Sequence, residues 1–125
     1  MSKEYYNKVK DEINKVSPSF CVAKWKQVTI HLQNGHNHSC HLPSTHLVPI
    51  EEIKYNPTAL HNSKFKKEQR KLMLEGIRPS ECDYCWKAED TPGDHFSDRV
   101  YKSSNSTWAF PYINEIVNKS WDEDI

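Results

Sequence analysis

Two rhythms of apolar and polar positions run along this chain. Over residues 3 to 16, Tyr5, Tyr6, Val9, Ile13 and Val16 share one stripe at helical spacing, and Ser17-Pro18 stops it. That pattern predicts a short amphipathic helix. From Val22 to Leu32 the period changes to two, with Val28, Ile30 and Leu32 facing one way and Trp25, Gln27, Thr29 and His31 the other, which predicts a strand. Asn34-Gly35 is a strong short hairpin signal, so a return strand is expected from His36 to Leu42 through a type I′ turn. Folding there pairs residues whose numbers total about 69 and sets Cys40 opposite Thr29.

Beyond Pro43 the chain reads as a loop, then as short helical pieces over 49–54 and 57–60, each led by a proline that a first helical turn tolerates. Ser63 is placed to cap a helix over 64–75 with Phe65, Leu72 and Met73 inward, ended by Gly76. Ser80 is expected to cap a further helix carrying Cys82, Cys85 and Trp86. Residues 91–107 are polar and read as loop, and 111–119 as a last helix before an acidic end. The resulting fold class is α+β: a β-hairpin with several short helices, pinned by a four-cysteine metal site.

Composition supplies the reason for a pin. Of 125 residues only 36% are hydrophobic and three are glycine, below the roughly 45–50% apolar share of ordinary domains. The 11% aromatic content, with four Trp, nevertheless suits a chain that collapses. Net charge is zero but segregated: residues 1–78 hold 13 Lys and Arg against 7 Asp and Glu, and residues 79–125 hold 4 against 10. A nucleic-acid binder is usually basic throughout, so the balance argues against that partner. The basic run KFKKEQRK reads as a solvated helix face. No window approaches the roughly 18 apolar residues of a membrane span, and the start lacks a signal-peptide core, so a cytoplasmic protein with no membrane partner is expected.

In a reducing compartment Cys21, Cys40, Cys82 and Cys85 are expected to be metal ligands rather than disulfides. Cys82 and Cys85 sit two apart at a helix start, whose free amides favour thiolates. Cys21 and Cys40 flank the hairpin and need either a fold-back of the chain or a centre wide enough to bridge them. Four thiolates suit an iron-sulphur cluster or zinc. Zinc finds possible nitrogen ligands in His38 and His41, although only one Cys-x2-Cys knuckle is present. The string His36-Asn37-His38 spells a nuclease motif by coincidence, since that motif names residues far apart in sequence.

The arrangement Cys21-x13-Gly35-x4-Cys40, followed by Cys82-x2-Cys85, resembles the signature of the twitch domain, the shortened SPASM domain of radical SAM enzymes. The surrounding text, FCVAKWKQVTIHLQNGHNHSCHLP, ALHNSKFKKEQRKLMLEG, CDYCWKAED and DHFSDRVYKSS, is similar to twitch-containing radical SAM proteins of phages and marine bacteria. The likeness covers residues 20 to 104. It implies an N-terminal helix (1–19), a twitch-like domain (20–104) and a helical tail (105–125). It also implies an auxiliary four-iron four-sulphur (4Fe-4S) cluster on Cys21, Cys40, Cys82 and Cys85, used for electron transfer or docking.

The Cys-x3-Cys-x2-Cys loop that binds the catalytic cluster is absent from this sequence, so no catalytic residue is expected and the chain resembles the accessory part alone. Its expected partner is a radical SAM core domain, in cis or in trans, with a peptide or protein substrate. Polar residues after the cysteine helix include Arg99, which would offset the negative charge of such a cluster if it came near. Trp25, Trp86 and Trp108 are expected in the core. The rival reading is a structural zinc module for protein contacts.

Overall fold

The computed structural model describes residues 2–40 and 44–124. Its first helix, α1 (Lys3–Val16), has the bounds that the apolar stripe predicts: Val9 and Ile13 are buried, and the Ser2 hydroxyl accepts the Tyr5 amide at 3.2 Å as N-cap. Tyr6 packs edge-on against Tyr101, with ring centres 5.0 Å apart, which holds the helix to a later segment.

The next segment departs from expectation. Residues 23–26 are not strand but a single helical turn, α2 (Ala23–Lys26). Val22 and Trp25 are both buried, and their spacing of three suits a helical turn, whereas a strand would send them to opposite faces. Strand order is β1 (Thr29–His31), β2 (His36–His38), β3 (His46–Leu47), all antiparallel. The β3 pairing falls in a stretch that the sequence gives as loop.

The hairpin closes two residues away from the predicted register: Thr29 faces His38 and His31 faces His36. Cys40 therefore lies beyond the ladder rather than opposite Thr29, and Leu42 lies outside the described residues. The type I′ expectation fails because within the turn Gly35 alone, at φ 71°, takes the left-handed conformation; among the described residues no non-glycine does. Asn34 instead contributes its side chain, accepting the His36 amide at 3.1 Å, while His31 O accepts the Gly35 amide at 3.0 Å. A shift of two residues keeps each side chain on its predicted face, where a shift of one would have exchanged the faces.

Helices α3 (Ile50–Tyr55) and α4 (Lys64–Leu74) flank a 3₁₀ turn at Pro57–Leu60, as the prolines suggest. Ser63 caps α4 through the Lys66 amide, and Gly76 follows it at φ 77°. The buried face of α4 is only in part the predicted one: Met73 is buried as expected, but Lys66 and Arg70 are buried with it, Leu72 is half-buried and Phe65 is 39% exposed. A 3₁₀ turn at Ser80–Cys82 leads into α5 (Asp83–Asp90), without a cap from Ser80. Inside the predicted loop lies α6 (Asp98–Ser103), which buries Arg99, Val100 and Ser103. The chain ends in a 3₁₀ turn at Phe110–Tyr112 and α7 (Ile113–Val117).

One hydrophobic core links these pieces, running from Val9 and Ile13 through Phe20, Trp25, Met73 and Trp86 to Ile113 and Ile116. Trp108 packs against it partly buried. Among the described residues no helix is long and apolar enough to cross a membrane.

Candidate functional site

The four cysteines arrive from separate elements. Cys21 precedes α2, Cys40 follows β2, Cys82 closes a 3₁₀ turn and Cys85 lies in the first turn of α5. None is in a disulfide. All four line one narrow cavity, about 20 Å³, together with Met73, Trp86, Lys24 and Arg99. That volume holds about one water-sized body. Among the described residues no three His, Cys, Asp or Glu side chains stand close enough to share a single metal ion. His41, considered as a zinc ligand, lies outside the described residues, and His38 does not line the cavity.

Burial, not the helix start, dominates the thiols. It pushes Cys82 and Cys85 up to about 12 and raises Cys21 as well. The expected preference for thiolate at the helix start is thus reversed in the metal-free chain. Opposing contributions point the other way: the Ala23 backbone amide hydrogen-bonds Cys21, the Arg99 backbone amide hydrogen-bonds Cys85, and Lys24 attracts charge on Cys21 and Cys82. Lys24 responds in kind, for burial works against its charge while Cys82 and Glu81 raise its pKa.

Four basic side chains are buried in this part of the core: Lys24 and Arg99 on the cavity wall, Lys66 and Arg70 on α4. Among the described residues two of them meet a carboxylate: Lys24 contacts Glu81, and Arg99 Nε meets Glu89 Oε2 at 2.7 Å. Arg99 also donates to Phe20 O at 3.0 Å and to Asn14 Oδ1 at 2.8 Å, so its guanidinium is fixed beside the cavity by three segments. Lys66 and Arg70 are held differently. The last carbonyls of a helix lack internal partners, and here cations from α4 satisfy those around the end of α2. Arg70 Nε donates to Lys24 O and Lys66 Nζ to Gln27 O, each at 2.9 Å, while His61 Nε2 donates to Trp25 O at the same distance. That bond fixes the His61 tautomer and leaves Nδ1 to accept from Lys66 at 2.9 Å.

Burial followed by repulsion from Arg70 and Lys24 lowers Lys66 to about 6. Lys66 is therefore largely uncharged at neutral pH; of the charged Lys24, Arg70 and Arg99, Arg70 has no carboxylate in contact among the described residues, and the thiols beside them are kept neutral by burial. Sequence patterning missed Lys24, Lys66 and Arg70 as site residues, because a basic run on a helix looks like a solvated face. No family model matches this chain, and no curated protein or solved structure matches it either.

Proposed function

We propose that this chain is an auxiliary iron-sulphur module, twitch-like, that serves a radical SAM core by electron transfer or docking. The observation that carries the reading is the convergence of four thiols and two buried cations on one cavity. A four-iron cluster held by four thiolates bears a net negative charge, and Lys24 and Arg99 on the cavity wall would offset part of it. Cys21, Cys40, Cys82 and Cys85 would hold the cluster. The Ala23 and Arg99 amides would hydrogen-bond its sulphurs, and Lys24 and Arg99 would raise its potential. When bound, such a cluster supplies one-electron transfer. Four protein ligands leave no iron open for a substrate, which favours that role over Lewis-acid contact.

A tetrahedral zinc site sets its thiolates about 3.8 Å apart at Zn–S distances near 2.3 Å. No three ligands among the described residues are gathered for one ion, so zinc would have to draw its ligands together. The zinc reading keeps one observation in its favour, the small cavity, which a cluster would have to widen.

Anaerobic reconstitution with iron and sulphide, followed by metal analysis, separates the two. The expected outcome is about four iron and four sulphide per chain, lost in Cys82→Ser. Stable uptake of one zinc, with no acid-labile sulphide retained, would replace the cluster by a structural zinc module.

A further inference from the structure

Away from the cysteine cavity, the hairpin concentrates imidazoles on one face. Directly paired residues of an antiparallel ladder share a face, so the His31 and His36 pair and the Thr29 and His38 pair put three histidines together. His36 turns aside, its Nδ1 meeting Thr45 Oγ1 at 2.9 Å. His31 and His38 turn toward each other across the strands, their Nε2 atoms 3.3 Å apart and their ring centres 5.2 Å apart.

That separation is informative. Two nitrogens bound to one tetrahedral ion at about 2.0–2.1 Å stand about 3.3–3.4 Å apart. Right-angled coordination would bring them to about 2.9 Å at the same bond length, so the bite favours a tetrahedral ion over a square-planar one. Neutral imidazole suits Zn²⁺, and the strands already hold both rings in place, so little side-chain freedom is lost on binding.

We propose that His31 and His38 form a two-imidazole seat for a tetrahedral divalent cation, Zn²⁺ first, with its two remaining positions open to water or to a ligand. For both Nε2 lone pairs to face the ion, each ring must carry its proton on Nδ1. The ring that donates in the His–His contact therefore moves its proton from Nε2 to Nδ1, and no net proton is released. The seat is separate from the four-cysteine cavity and does not depend on what that cavity binds.

The test is a Zn²⁺ titration of the full reduced chain, read by imidazole nitrogen NMR, which resolves Nε2 of each histidine whatever the cysteines take up. The expected result is that Nε2 of His31 and His38 shift together in one binding event. His31→Ala should weaken the shift at His38 by about a hundred-fold in Zn²⁺ concentration, the loss expected when a linked second ligand is removed. His36→Ala should change the midpoint by less than about two-fold. Co²⁺ gives a second reading: binding at this seat adds weak visible bands without the intense near-ultraviolet absorption of cobalt thiolate. Wild-type Nε2 resonances that do not move together, or a His38 shift as tight in His31→Ala as in wild type, would overturn the seat.

Discussion

A half-buried imidazole is useful to this fold only while it is uncharged. His61 donates through Nε2 to Trp25 O and accepts from Lys66 through Nδ1, so a second proton has no acceptor there. Burial, joined by repulsion from Lys66 and Arg70, lowers His61 to about 4, and burial does the same to His46. In the unfolded chain both rings titrate near 6.5. Between pH 6.5 and 4 the unfolded chain therefore takes up protons that the folded chain refuses, and stability falls as the pH falls. Urea unfolding of the metal-free chain should show its midpoint dropping over that window, with a shallower drop in His61→Gln. Equal slopes in the two proteins would mean that His61 is already charged when folded.

At the scale of elements, short helices depend on their ends. The α4 cap is Ser63, whose hydroxyl accepts the Lys66 amide and also meets His46 Nε2 at 2.8 Å, tying the helix to β3. Removing a serine cap costs about 0.5–2 kcal/mol, and the half-buried His46 nitrogen left without its partner adds about 1 kcal/mol, the low end for such a loss. Ser63→Ala should therefore destabilise by about 2–3 kcal/mol, measured by chemical denaturation, whereas Ser80→Ala, whose side chain caps nothing, should stay within about 0.5 kcal/mol. Sequence reading found the Ser63 cap because capping is local: one side chain and an amide three residues on. It missed α6 because the helix DRVYKS has no apolar stripe; its buried members are Arg99, Val100 and Ser103, and Arg99 is buried only because Glu89, Phe20 O and Asn14 receive it.

At the scale of the whole molecule, buried charge bears on the proposed metal site. Arg70 is a buried cation that meets no carboxylate among the described residues, and such uncompensated positive charge destabilises the interior. A bound four-thiolate centre would offset part of that charge and join segments from residue 21 to residue 85, so metal binding and folding should be coupled. Chelation of the loaded protein should lower its thermal transition sharply, and Cys82→Ala should abolish cooperative unfolding. A variant that loses its metal yet unfolds like the loaded wild type would break that link.

The sequence by itself determined the features that depend on near neighbours. It marked α1 to its ends by an apolar stripe and a proline, the proline-led turns at 49 and 57, the Ser63 cap, the left-handed glycines at 35 and 76, and the faces of the hairpin residues. Only the tertiary structure decided that Ala23–Lys26 is helical, that the hairpin closes two residues short of its predicted register, that Lys66 and Arg70 turn inward to meet carbonyls at the end of α2, and that the four cysteines line one cavity. Each of these outcomes pairs a group with a partner dozens of residues away, or trades a weak local preference for burial. Periodicity cannot anticipate a buried lysine whose acceptor, Gln27 O, is a carbonyl 39 residues away in the sequence.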